Sequence, residues 1–270
     1  MVPRHTSTRP AVALALAAAA LVALSSCRRA ERPAPAPAPV QPPAAAAPVP
    51  PLGPVERAQL ISAAASASDA YALGRPYPPA LADLIGERFE ARLPFGCAGE
   101  APEADVGYTV DAKRGALSLQ ARPETWTTTP WVRALAGPAP IEAIEGFWLR
   151  RPWIASDACP AIRAPASAAP APATPETLGL ARLFAPGESR VLRHGARGYE
   201  VVKKIEPGLL RVQGFRLVLA GRIADFGDRQ PIRCRSEGPD QRPACLVAVE
   251  FDRVSFEDPV SGQVLAEWRN

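Results

Sequence analysis

Few residues in this 270-residue chain have the types and spacing that chemistry needs. The nucleophile-elbow, zinc-protease, dinucleotide and phosphate-loop patterns do not occur in it. Asp225-Phe226-Gly227 spells a magnesium-binding tripeptide of kinases but has no lysine strand or catalytic loop to go with it, so it reads as a turn. Asp225 and Asp228 stand three apart in a glycine loop, where two carboxylates could face one cation; a polar turn is the simpler expectation. His194, in Arg-His-Gly, would serve as a general base only beside a nucleophile and an orienting acid. Carboxylate pairs such as Glu142/Glu145 and Glu250/Asp252/Glu257/Asp258 satisfy the minimum for glycoside hydrolysis, but any chain of this size offers such pairs. One clustering is unusual. Trp126, Trp131, Trp148 and Trp153 fall within 28 residues, beside Phe147, Arg150 and Arg151. Such a set either fills a core poor in large aliphatics or makes a stacking surface for a glycan or protein partner. Phe147 and Trp148 alternate, so at most one of them is expected to face the core.

The arginines themselves carry little signal. Of 31 basic residues only Lys113, Lys203 and Lys204 are lysines, and this bias, with the abundant alanine and proline, reads as a coding preference. The formal charge of +4 is modest and is no nucleic-acid footprint.

Five cysteines are present: Cys27, Cys97, Cys159, Cys234 and Cys245. With Cys27 set aside, four remain, and an even number in an exported chain reads as disulfides with three possible connectivities. Cys97–Cys159 with Cys234–Cys245 is the expected set, because each pair then stays within one block of sequence. The rival is a metal site, but there is no CxxC spacing and His194 is the one histidine beyond residue 26, so neither metal nor cofactor is expected.

Cys27 is set aside because of what precedes it. Residues 1–10 carry Arg4 and Arg9 and no acid, and residues 11–24 are an apolar run of 14. That is too short for a bilayer, which takes about 20 helical residues, and it has the layout of a secretory signal. Leu24-Ser25-Ser26-Cys27 resembles the lipobox of bacterial lipoproteins. The resemblance implies cleavage before Cys27, removing residues 1–26, and lipid on the Cys27 sulfur and amine. It places the chain on the cell envelope, facing the periplasm, and Arg28 in place of an aspartate favours the outer over the inner membrane. Removal of Arg4 and Arg9 would leave 29 basic against 27 acidic residues, a charge of +2.

Residues 28–54 hold 10 prolines and 8 alanines in 27 positions, a tether reaching on the order of 80 Å at ~3.1 Å per residue. Arg28, Arg29 and Arg32 open it and could touch phosphate headgroups. A second Pro/Ala stretch at 160–175 predicts a linker between two domains, 55–159 and 176–270.

The first domain is expected to be α+β, with an N-terminal helix packed on a small antiparallel sheet. Leu60, Ala64, Ala67 and Tyr71 recur at helical spacing and Gly74 is a stop signal. A short helix over 78–86 and strands at 88–95, 106–110, 116–122 and 143–153 follow, with Gly115 in a hairpin turn. The second domain is expected to begin with a short helix over 176–184 and continue as a mostly-β barrel or sandwich, its Cys234–Cys245 bridge clamping the polar loop 236–242. The leading functional expectation is a lipid-anchored, non-enzymatic binding or assembly module, its partner an envelope protein or peptidoglycan. A small-ligand or lipid carrier, if the second domain is hollow, and a carboxylate-dependent hydrolase are the other readings.

Overall fold

The computed structural model describes residues 53–136, 140–161, 176–188, 198–205 and 214–269. Cys27, His194, the tether up to residue 52 and most of the 160–175 stretch lie outside these residues.

The central element is β11 (Ala244–Glu257), fourteen residues of near-continuous apolar sequence. Cys245, Val247, Val249 and Phe251 point to the main core, and Leu246 and Ala248 point the other way to a second one. At Asp252 the register shifts by one residue, so Val254 and Phe256 return to the main core side, which strict alternation would have denied them. The shift lies against Gly221 of β9 (Phe215–Ile223), where a Cβ would overlap the Glu250 carbonyl oxygen. Glycine is needed there because the two backbones approach so closely.

Around β11 a nine-stranded sheet forms in the order β1-β2-β9-β11-β7-β6-β5, with β10 and β12 also paired to β11. The flanking strands are β1 (Val55–Glu56), β2 (Arg88–Phe95), β5 (Glu124–Thr125), β6 (Ala143–Trp148), β7 (Leu178–Phe184), β10 (Ile232–Arg235) and β12 (Val264–Arg269). A second sheet of three strands, β3 (Val106–Asp111), β4 (Ala116–Ala121) and β8 (Tyr199–Lys204), joins the main core through Leu117, Leu119 and Tyr199. Tyr108 meets Phe215 at 5.0 Å and Tyr199 meets Phe147 at 6.3 Å across that core.

Helix α1 (Arg57–Ala72) lies where the periodicity placed it. Gln59 Oε1 accepts the Glu56 N–H at its start. At its end Gly74, at φ +62°, lets the Arg75 N–H reach the Ala70 carbonyl and its own N–H reach Tyr71, a Schellman closure. The buried stripe is Arg57, Leu60, Ala64, Ala67 and Ala70, and Tyr71 is left outside it. Small alanines let the helix approach the Cys234–Cys245 bridge, with Cys245 Sγ 3.8 Å from the Ala64 carbonyl. A 3₁₀ turn over Pro79–Leu84 stands for the second short helix, and α2 (Pro130–Ala136) is a single unforeseen helix of seven residues.

Three expectations are corrected. Residues 176–184 are not helical: Leu178–Phe184 is β7, parallel to β11 and antiparallel to β6. A run such as LGLARLF has no periodicity strong enough to fix its state, and two flanking strands decide it. The blocks 55–159 and 176–270 do not fold apart. β2 of the first pairs with β9 of the second over eight residues, β6 pairs with β7, and residues 51–270 form one compact unit. The physical reason is burial: β2 and β9 each turn an apolar face to the same core, and neither block supplies enough strands to cover it alone. Among the described residues the sheets do not close into a barrel, since β1 and β5 end the main order.

Candidate functional site

After Leu149, whose N–H bonds the Leu178 carbonyl, the chain leaves the sheet as a tight loop. Arg151 takes φ +54°, a left-handed conformation uncommon for a side chain of its size. The loop is held from below by Arg57, buried at 3% exposure at the start of α1. Its Nη2 donates to the carbonyls of Arg150 (2.7 Å) and Arg151 (3.1 Å), and its Nε donates to Ile154 (3.2 Å). Arg57 Nη1 is buried with no hydrogen-bond partner among the described residues. Burial, and then the charge of Arg151, push the Arg57 pKa below its ordinary value, while Asp157 acts the other way. Arg151 in turn donates from Nη2 to the Pro94 carbonyl (2.9 Å), and burial and Arg150 push its pKa down as well. The Cys97–Cys159 disulfide, with Cα atoms 5.4 Å apart, ties the end of β2 to the segment after the loop.

Between these parts opens a cleft of about 260 Å³, with Gly96, Gly99, Ala101, Val106 and Pro160 in its walls and Arg150 and Arg151 beside them. Glu100 shares the lining, but its Oε2 is engaged by the Val110 N–H at 2.9 Å. Arg150 is exposed, and among the described residues its guanidinium has no hydrogen-bond or salt-bridge partner.

Two residues before Arg150 in the chain, Trp148 forms an indole pair. Trp126 and Trp148 meet at 4.9 Å, and both Nε1–H groups donate to the same oxygen, Glu124 Oε2, at 2.9 Å each. Gly179 makes room for them, since a Cβ there would press on Trp126, Trp148 and Leu246. Glu176 adjoins this group; burial first, then Glu124 and Asp105, raise its pKa, with Arg150 opposing.

The structure thus divides the six aromatic and basic residues singled out from sequence. Trp126 is core, buried at 4%, and Trp148 and Trp131 pack half-buried against the second core. Trp153 alone of the four is exposed, at 51%, on the loop that carries Arg150 and Arg151. Phe147 is buried in the main core while Trp148 faces the second, so both neighbours are packed, on opposite faces of a sheet covered on both sides. The expectation that one of the two would be free surface is corrected. Both disulfides form as expected, Cys97–Cys159 and Cys234–Cys245.

Most of the carboxylates singled out from sequence are held by donors, whereas Asp252 is exposed at the register shift of β11. Glu142 accepts the N–H groups of Gly187 (2.6 Å) and Glu188 (3.1 Å). Glu145 is buried opposite Arg182 in the register, and Glu250 pairs with Arg182 at 2.9 Å. Burial raises the Glu250 pKa, an effect that Arg182 opposes. Glu257 bonds Arg216 at 3.1 Å within a ladder of alternating charge, Asp157–Arg216–Glu257–Arg92–Glu90–Arg253–Glu267, across the solvent face of β2, β9, β11 and β12. Asp258 caps its own turn, accepting the Val260 N–H and the Ser261 hydroxyl. Asp225 accepts the Gly227 N–H and Asp228 pairs with Arg233 at 2.6 Å, the contacts of a polar turn. Among the described residues no group of three or more His, Cys, Asp or Glu side chains is placed to hold a metal ion.

Sequence reasoning missed Arg57 and Glu124. Arg57 lies on the stripe 57-60-64-67, so its burial was readable as the N-terminal extension of the apolar face. Glu124 offered no signal: only the fold brings Trp148 to the oxygen that Trp126 already occupies.

Comparison with known proteins finds no matching family model, no matching curated protein and no matching solved structure.

Proposed function

We propose that the chain is a lipoprotein of the bacterial envelope, anchored at Cys27, with residues 55–269 acting as a periplasm-facing binding or assembly module. The observation that carries this reading is a cysteine count. Of five cysteines, four are joined in two disulfides, and a sulfur so engaged has no valence for another bond. Cys27 therefore has no partner within its own chain, and it stands where the apolar run of the signal ends. Two disulfides fit export to an oxidising compartment. Two or more acyl chains hold a membrane stably where one does not, and the Pro/Ala tether gives the body reach. Arg28 favours the outer membrane.

A binding role is supported over a hydrolytic one by Glu142, Glu250 and Glu257, which face arginines or backbone N–H groups. The cleft beside Arg150 holds arginines and a single engaged glutamate. The partner expected is an envelope protein or peptidoglycan, and neither metal nor cofactor is invoked.

The anchor is tested by expressing the full chain in a diderm bacterium fed an alkyne-bearing fatty acid. Wild type takes up label and sediments with membranes; Cys27→Ser remains unlabelled. Equal labelling of both chains would remove the anchor from the reading. Crosslinking in whole cells and retention on purified sacculi then test the module, and failure of both would remove the binding role.

A further inference from the structure

Three guanidinium groups, Arg57, Arg150 and Arg151, crowd one loop, and like charges at such range disfavour one another. Two of them are spoken for. Arg57 is spent on three carbonyls of the loop and Arg151 on Pro94. Arg150 is exposed, lines the cleft and has no hydrogen-bond or salt-bridge partner among the described residues. Its backbone is fixed, since Arg57 holds its carbonyl at 2.7 Å, and the opposite wall is fixed by the Cys97–Cys159 disulfide. A rigid cleft with walls of glycine, alanine and valine and one spare cation suits an apolar body with an anionic end. At about 260 Å³ it admits only a small ligand or the tip of a chain.

The surrounding acids narrow the anion. Glu100 stands in the lining, and Glu176 is close enough to Arg150 to feel its charge, as it feels Glu124 and Asp105. Together they lower the local positive potential and disfavour a dianion. One free guanidinium offers a single planar fork, which matches a carboxylate. We propose that the cleft binds the carboxylate end of a small apolar ligand, such as the C-terminus of a short peptide, with Arg150 as the recognising group. The inference rests on the reading of this body as a binding module and names its ligand class.

The test uses the full chain in detergent micelles with three probes: trialanine, trialanine C-terminal amide and inorganic phosphate, each titrated by calorimetry to millimolar concentration. Trialanine is expected to bind, and its amide about tenfold or more weaker, the effect of losing one charge-assisted hydrogen bond. Arg150→Gln should weaken trialanine to the level of the amide while the chain still melts in one cooperative transition, a few degrees lower at most because Glu176 loses the charge that offsets its neighbours. Arg150→Lys, which keeps the charge and loses the fork, should fall between. No binding of trialanine, equal binding of the amide, tighter binding of phosphate, or an unaltered Arg150→Gln variant would each overturn the assignment. Fatty-acid labelling of Cys27 in the same variants reads the anchor separately, so a lost ligand and a lost anchor give different results.

Discussion

Around the indole pair the protein sets two carboxyls in unequal surroundings. Glu124 receives two indole N–H groups on one oxygen, whereas Glu176 is partly buried beside Glu124 and Asp105 with only Arg150 to offset them. The folded pKa of Glu176 therefore lies above its ordinary value, burial being the main cause. In the window between the two values the folded chain holds a proton that the unfolded chain has lost, so stability falls as pH rises through that window. Below the ordinary value, about 4.3, the carboxyl is neutral in both states and the penalty vanishes. Glu176→Gln should accordingly raise the urea midpoint at pH 7, and its advantage should shrink toward zero near pH 4. A lower midpoint at pH 7 would mean that the attraction of Arg150 outweighs burial. At this scale the sequence was least informative. Arg57 and Arg150 are two of 28 arginines; the apolar stripe of α1 hints that Arg57 is buried, but nothing in sequence says that it bolts the loop or that Arg150 stands beside a cleft. Trp126, Trp131, Trp148 and Trp153 were visible as a cluster, but their division into packed and exposed depended on which sheet face each met.

At the scale of elements, most strands and α1 were legible because their cause is local. RFEARLPF alternates and becomes β2, Gly115 closes the hairpin of β3 and β4 at φ +60°, and Gly74 stops α1. β7 was not legible, since its state is set by β6 and β11, which are distant in sequence. The bulge at Asp252 is intermediate. FDRVSF shows an alternation that breaks phase after Phe251, and Gly221 supplies the room on β9. Substituting Gly221 tests whether that phase break is what lets one strand serve the core along its whole length. Gly221→Ala puts a methyl group into the Glu250 carbonyl, and overpacking of this kind costs about 1–3 kcal/mol. Gly238→Ala is the control: the nearest atom to its Cβ is Gln241 Cγ at 3.8 Å, and a change within about 0.5 kcal/mol is expected. Equal urea midpoints for the two variants would show that the strands part readily at the bulge.

For the whole molecule, the Pro/Ala stretch at 160–175 suggested a boundary, and the strand order contradicts it. Composition marks where a chain cannot form a core, but it does not say whether the flanking segments share one. Here β2 lies against β9, β6 against β7, and both cores draw on both sides of the stretch. Two independent domains would unfold in two steps; one interleaved sheet should unfold in one. Four of the five tryptophans belong to the earlier segment and the fifth, Trp268, to β12, so in a Trp268→Phe background tryptophan fluorescence reports on the earlier segment while far-UV circular dichroism reports on the strands of both. Their thermal transitions should coincide. The disulfides sharpen the test, because Cys97–Cys159 spans 62 residues and Cys234–Cys245 only 11. The chain-entropy account assigns about 4 kcal/mol to the longer loop and about 3 to the shorter. A Cys97→Ala/Cys159→Ala variant should therefore shift both transitions down together, and by more than Cys234→Ala/Cys245→Ala does. If only the tryptophan signal moved, the earlier segment would be melting by itself, and the single sheet that joins the two segments would be the wrong description of this protein.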